Sequence, residues 1–497
     1  MAAPESREEI FAGFRGTPPL FYRTRSRGVP VYRTSPNRLE YFNPQEFPVR
    51  KPPGSLRLFV FGGSTAYGEP WGDRGSFARF IKARAAGGDS GRVLDVVNAG
   101  GKGYGSTALV QLVREALRYE PDGFLFYTGQ NEYREATFHP IEREGRSSVP
   151  AWRAALHRHS RVYVALSDLL RPLSPPRRGA RPTSFASREI AAILSRPFGP
   201  ASFSFPARFG IPPLSSPNPG EERVLSRFEE NLRSMLQIAT AEGVPCFVLT
   251  QLRNEQYWLA PNRSRLLAGA ESEYERRYVA LLGAADSGRA EEALGLVDSV
   301  AALYASDRDT YLHVLEGDLL LSLGRVARAR DAYREAWDVD PVNQKIRAAA
   351  TAEGAVVVEC DGAARAAAPD SILGFAVFYD EIHPSPALHL AIADAVLPTL
   401  ASAGLAPTAG GEARGAPPPL PEGPDAEVLA YEALRAMYLG EWPEAEARAE
   451  SAASLTSDLG KASVYVGICA TRRGDLERAR TAWERLAARY PELLPAR

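Results

Sequence analysis

Apolar residues come in two rhythms along this chain. In the first, short continuous apolar runs alternate with stretches whose apolar residues recur at helical spacing. Residues 56–61, broken only by Arg57, are rich in β-branched and aromatic side chains and predict a buried strand. Residues 76–86 then predict a helix, 93–98 a second strand, 106–119 a helix, and 123–127, after Pro121-Asp122, a third strand. The rhythm breaks over 140–225 and resumes with a helix at 223–242, strands at 245–251 and 355–360, and a helix at 386–400. Strands separated by helices of this length predict a parallel sheet with helices on both faces.

The second rhythm is wholly helical. Gly288-Arg-Ala-Glu-Glu-Ala293 and Gly324-Arg-Val-Ala-Arg-Ala329 share the form Gly-x4-Ala, 36 residues apart, and each is flanked by amphipathic helix. The form returns as Gly440-Glu-Trp-Pro-Glu-Ala445 and Gly474-Asp-Leu-Glu-Arg-Ala479, now 34 residues apart. A period near 34, with glycine at the turn and a small residue where two helices cross, is the tetratricopeptide (TPR) pattern. Gly317, Ala329, Tyr333, Ala336 and Pro341 occupy its small, small, aromatic, small and proline offsets. Such repeats need neighbours to bury their faces, so the two pairs are expected to stack on each other or on the sheet domain.

The expected organisation is therefore an extended N-terminal arm over 1–53, rich in Pro, Arg and Tyr, followed by a first part of the α/β domain over 54–270. Within that part, 140–225 reads as a lid-like insert rich in Pro, Ser and Arg. A TPR-like helical insert spans 271–345, the second part of the α/β domain 346–403, a Gly/Ala/Pro linker 404–424, and C-terminal TPR-like helices 425–497.

Composition changes this picture little. A net charge of −1 gives no global basic surface for nucleic acid. Basic residues are almost all Arg, with five Lys, which reads as a compositional bias. Cys246, Cys360 and Cys469 are far apart and fit neither a disulfide framework nor a metal-binding spacing. No metal or organic cofactor is implied. Residues 1–9 contain no apolar signal-peptide core, and no run approaches the length of a membrane span, so the chain as written reads as soluble and cytoplasmic. An anchor or signal removed from the N-terminus would leave the same pattern.

Chemistry enters at the strand ends. The first strand runs into Gly62-Gly63-Ser64, and a serine on a glycine turn at the C-terminal end of a strand is where an open α/β sheet presents a nucleophile. Taken alone, Gly-Gly-Ser is only a turn. A nucleophilic serine also needs a base, a group that orients the base, and donors for an oxyanion. Of the histidines at 139, 157, 159, 313, 383 and 389, only His383 has an acid three positions before it, in Asp380-Glu-Ile-His383. That spacing lets the carboxylate fold back onto the imidazole. Two stretches could supply oxyanion donors: the glycine-rich loop Asn98-Ala-Gly-Gly-Lys-Gly103 after the second strand, and Gly129-Gln-Asn131-Glu132 after the third. Glu132 and Glu381 adjoin these blocks and read as supporting or solvated groups.

In this order the four blocks resemble those of the SGNH (GDSL-like) hydrolase family, over roughly 54–135, 223–255 and 355–403. Together with the repeats, they resemble a bacterial subgroup that combines this domain with TPR repeats. The resemblance implies a flavodoxin-like three-layer α/β sandwich with a parallel sheet, plus all-α TPR-like hairpins. It implies Ser64, Asp380 and His383 as catalytic residues, and the Ser64 and Gly103 backbone N–H groups with the Asn131 amide as the oxyanion hole. It further implies a serine esterase or deacylase working through an acyl-enzyme. Its substrate would be an acylated small molecule, glycan or peptide, and the repeats would offer a surface for a protein partner. An acyltransferase at the same site, or a scaffold that only binds, are the other readings. The sequence departs from the family pattern at Gly63, where Asp is usual, at Thr65, where Leu is usual, and at Pro384-Ser-Pro-Ala-Leu-His389, which lacks the customary glycine at the start of the last helix.

Overall fold

The computed structural model of the chain describes residues 19–86, 93–133, 135, 219–257, 273–303, 310–337, 340–406, 420, 425–456 and 460–489. Most of the lid-like insert (to 218) and of the linker, and residues 1–18 of the arm, lie outside the described residues.

Residues 19–53 are not an extended arm. They form a three-stranded antiparallel sheet of β1 (Phe21–Ser26), β2 (Val29–Thr34) and β3 (Glu46–Pro48). The turn between β1 and β2 is Arg27-Gly28, with φ of 47° and 82°. A type I′ hairpin turn needs positive φ at both positions, and Arg is an unusual choice for the first. That choice hid the hairpin in the sequence. Phe21 and Phe47 meet edge to face at 5.0 Å, and both pack on Tyr119.

The main body is a five-stranded sheet of β4 (Ser55–Gly62), β5 (Val93–Gly100), β6 (Gly123–Tyr127), β7 (Cys246–Leu249) and β8 (Val356–Val358), in the order β5-β4-β6-β7-β8. Every neighbouring pair is parallel. Between the strands and around them run α1 (Ser64–Tyr67), α2 (Phe77–Ala85), α3 (Ser106–Ala116) and α4 (Pro219–Thr240). The apolar runs are continuous because both faces of the sheet are buried. Phe59, Phe61, Phe124, Phe126 and Val248 face α3 and α4, whereas Leu58, Val60, Leu125, Tyr127 and Leu249 face α2 and the helices that follow β8. Each phenylalanine buried here contributes about 1.5–3 kcal/mol.

Arg57, the one break in the β4 run, is fully buried. Its guanidinium donates to the Tyr119 carbonyl at 2.7 Å and the Pro48 carbonyl at 2.8 Å, lies 3.6 Å from Asp95 and stacks on Phe47. It ties the N-terminal sheet to the core.

Helices α5 (Glu273–Asp286), α6 (Ala290–Ala301), α7 (Thr310–Ser322) and α8 (Val326–Ala336) form two hairpins between β7 and β8. Helix α9 (Pro341–Glu353) follows, and the boundary expected at 345/346 falls inside it. This helix belongs to the sheet body, because Ile346, Ala349 and Ala350 pack in the same core as α3 and α4. After β8 come α10 (Asp361–Ala367) and α11 (Pro386–Ser402), then α12 (Ala426–Leu439), α13 (Trp442–Leu455), α14 (Gly460–Arg473) and α15 (Leu476–Arg489), which make two further hairpins. The four turn glycines Gly288, Gly324, Gly440 and Gly474 all have φ between 71° and 77°. Ala293, Ala329, Ala445 and Ala479 are buried where the helices cross.

Each hairpin pair rests on the sheet body. Trp337 Nε1 donates to the Glu255 carbonyl at 3.2 Å, and Trp71 Nε1 donates to Tyr379 Oη within the core of the C-terminal helices. No helix among the described residues is long and apolar enough to cross a membrane.

Candidate active site

Chain order reverses between β4 and β6: the chain leaves β4 towards β5 on one side and returns to β6 on the other. The crevice beyond the C-terminal ends of strands at such a switch point is where an open α/β sheet places ligands. Ser64 stands there as the first residue of α1, two residues past β4. Gly62 must be glycine, since a Cβ would lie 2.1 Å from the Tyr127 carbonyl oxygen of the neighbouring strand.

The loop between α10 and α11 brings His383 to the serine. His383 Nε2 lies 2.8 Å from Ser64 Oγ, and its Nδ1 lies 2.8 and 2.9 Å from the two oxygens of Asp380. With Nδ1–H donating to the carboxylate, Nε2 is left to accept the serine hydroxyl. Asp380 also closes its own turn: Oδ1 accepts from the backbone N–H groups of Ile382 and His383 at 3.0 and 2.9 Å. Asn254, in the loop after β7, clamps this turn by donating to the Asp380 carbonyl through its amide and to the Glu381 carbonyl through its backbone. The unusual residues after His383 start α11 soundly, with Ser385 as N-cap and Pro386 in the first turn.

Electrostatics favour a chargeable imidazole. Burial opposes protonation of His383, but the Asp380 carboxylate outweighs it, with smaller help from Glu69 and Glu381, and the pKa is raised. His389, six residues on, behaves oppositely. Fully buried and stacked on Phe77, it is held neutral, with a pKa of about 3, by burial and by the nearby His383.

Across the crevice, Asn131 packs against Gly63: a Cβ on Gly63 would lie 2.2 Å from the Asn131 amide nitrogen. That nitrogen donates one hydrogen to the Tyr104 carbonyl at 3.0 Å and keeps a second. Gly103, next to Tyr104, has a φ of 74°, and its N–H has no acceptor among the described residues. The structure thus joins Ser64, His383 and Asp380 by hydrogen bonds and sets Gly103 and Asn131 on the two flanking loops.

Asn98 ties the β5 loop to the serine turn, its amide donating to the Ala66 carbonyl and Asp73 at 3.0 Å. Glu132 is fully buried rather than solvated. It accepts from the Ser106 backbone N–H at 3.0 Å and the Ser106 hydroxyl at 2.6 Å, while Glu135 accepts from Thr107 and Ala108 N–H. Both carboxylates cap α3. Burial, with Glu135 beside it, pushes the Glu132 pKa up to about 7.

A further group surrounds the far side of His383. Tyr431, on α12, meets the His383 ring edge to face at 5.3 Å and donates its hydroxyl to Glu69 Oε1 at 2.8 Å. Lys102 Nζ lies 3.8 Å from that Glu69 oxygen and 3.9 Å from Glu427, which also pairs with Lys461. Sequence reasoning missed these residues, because they lie on segments more than three hundred positions apart. The only signal was two of the five lysines in an arginine-dominated chain. Among the described residues no cluster of His, Cys, Asp and Glu is placed to hold a metal, and the three cysteines are free and buried.

No family model matches this sequence, and no curated protein sequence does. Among solved structures, a GDSL-like lipase from Bacteroides thetaiotaomicron is similar at 11% identity, with a TM-score of 0.28, over 70% of this chain and 88% of its own.

Proposed function

We propose that this chain is a serine hydrolase of the SGNH (GDSL-like) type that cleaves ester-linked acyl groups through an acyl-enzyme on Ser64. The observation that carries this reading is the continuous chain Ser64 Oγ–His383 Nε2, His383 Nδ1–Asp380, at 2.8 Å for each link. In the proposed reaction His383 takes the Ser64 proton as Oγ attacks the acyl carbonyl, and the ionised Asp380 stabilises the imidazolium that forms. The oxyanion is received by the Ser64 and Gly103 N–H groups and the second hydrogen of the Asn131 amide. One such donor is worth about 3 kcal/mol in the transition state. His383 then returns the proton to the leaving alcohol, and water activated by the same histidine resolves the ester.

Only about 6% of Ser64 is exposed. In the alternative reaction an acceptor alcohol or amine, rather than water, resolves the acyl-enzyme. The helical hairpins carry the spacing of TPR repeats, and on this reading they present a surface to a protein partner or a large substrate.

Intact mass after treatment with a fluorophosphonate probe tests the chemistry. A single adduct is expected on the wild type and none on Ser64→Ala. Folded wild-type protein that takes no adduct would leave a binding scaffold as the better reading. With an adduct in hand, product analysis in the presence of added alcohols separates hydrolysis from transfer.

A further inference from the structure

Glu69 is a carboxylate that the proposed reaction does not use, yet it is built into the turn carrying the serine. Its backbone N–H donates to the Ser64 carbonyl at 3.1 Å, and its side chain is buried on the His383 side of the crevice. Two side chains reach it, and a third packs on one of those two. Tyr431 from α12 donates to it, Lys102 from the loop that carries Gly103 pairs with it, and Lys461 from α14 sits 4.7 Å over the Tyr431 ring. A carboxylate enclosed this fully is costly unless cations and donors surround it, and here they do. Burial raises its pKa, but Lys102, His383, Lys461 and the Tyr431 hydroxyl prevail and hold it down at about 2, so it is ionised.

We propose that Glu69, oriented by Tyr431 and Lys102, is a positioning residue that acts through His383, and that the C-terminal helices thereby complete the active site. This rests on the serine hydrolase reading above. The physical role is a second, fixed negative charge for the imidazolium formed during acyl transfer, held by the tyrosine whose ring packs on His383. Glu69, Tyr431 and His383 are all buried, so the charge is weakly screened. Lys102 links this carboxylate to the oxyanion loop, so the base and the donors share one network.

The charges around His383 determine the sign of the test. Asp380 and Glu381 on its own loop and Glu69 beside Ser64 favour the imidazolium, Lys102 and Lys461 oppose it, Glu427 offsets the lysines, and His389 on α11 is held neutral. Removing Glu69 lowers the His383 pKa, and removing Lys102 raises it.

The measurement is the rate of fluorophosphonate labelling of Ser64 against pH in the full chain. Glu69→Gln is expected to slow labelling and to move the acidic limb down by about half to one pH unit. Lys102→Met is expected to move it up, and Tyr431→Phe to slow labelling with a smaller displacement. Should Glu69→Gln fail to fold, Glu69→Gln/Lys102→Met compared with Lys102→Met isolates the same carboxylate with charge balanced. Normal labelling with the limb unmoved in every Glu69 comparison overturns the positioning role and leaves the Ser64 reading standing. Folded wild type that does not label overturns the reading itself, and the positioning role with it.

Discussion

Gly63 illustrates how a residue without a side chain can govern a site. Its φ of −84° is open to any residue, so backbone freedom does not explain the glycine. The explanation is the Asn131 amide, which occupies the space a Cβ would fill, with the Tyr104 carbonyl 3.1 Å from the same point. Gly63→Ala is therefore expected to leave the fold intact by circular dichroism and to push the amide off its position. On the proposed mechanism, kcat/KM falls by about 10²–10³, the loss that follows removal of one oxyanion donor. Asn131→Ala should cost about as much, and the double variant little more than either single one, since both changes remove the same hydrogen bond. Additive losses would place the two residues in separate roles. At this scale Ser64, Asp380 and His383 were legible because strand ends and an Asp-x-x-His spacing are local patterns. Glu69, Lys102 and Tyr431 carry no local pattern.

At the scale of elements, helix α3 depends on two carboxylates that are not part of it. Glu132 and Glu135, one turn apart after β6, satisfy the otherwise unpaired N–H groups at its start. Burial pushes both pKa values up, Glu132 to about 7 from the ordinary 4.5 with Glu135 beside it. A group with a raised folded-state pKa binds its proton more tightly when folded. Its contribution to stability is thus complete below about pH 4.5 and is lost as pH rises through about 7. Urea unfolding midpoints are expected to decline over that window in the wild type, and Glu132→Gln should flatten the decline. An unchanged slope in the variant would mean that Glu132 is not the group responsible. The hairpin elements were readable from Gly-x4-Ala because one glycine supplies the left-handed turn and one alanine the close crossing. The Arg27-Gly28 hairpin was not, because an arginine at positive φ gives no compositional warning.

For the whole molecule, the C-terminal helices are continuous with the α/β body. Trp71 and Tyr379 of the body sit in their apolar core, Arg74 pairs with Asp425 at the start of α12, and Tyr438 stacks on Phe375. In native-state hydrogen exchange α12 is expected to open together with the central strands. The outermost helix, α15, whose Leu476 is 72% exposed, should open at lower free energy. Early exchange of α12 would show instead that the helical layer opens independently of the site it covers. The sequence by itself determined the alternation of strand and helix, the parallel sheet, the turn positions of the hairpins and the strand ends that carry Ser64, Gly103 and Asn131. Those features depend on hydrophobic period and backbone preference, which act between residues close in the chain. Only the tertiary structure decided that α9 belongs to the sheet body, that Arg57 anchors an N-terminal sheet, and that Tyr431 meets both Glu69 and His383. Those depend on apolar packing, buried charge and ring contacts between separate segments, some of them hundreds of residues apart. Such contacts arise when enclosed polar groups must find partners, and sequence spacing does not record which partner each one finds.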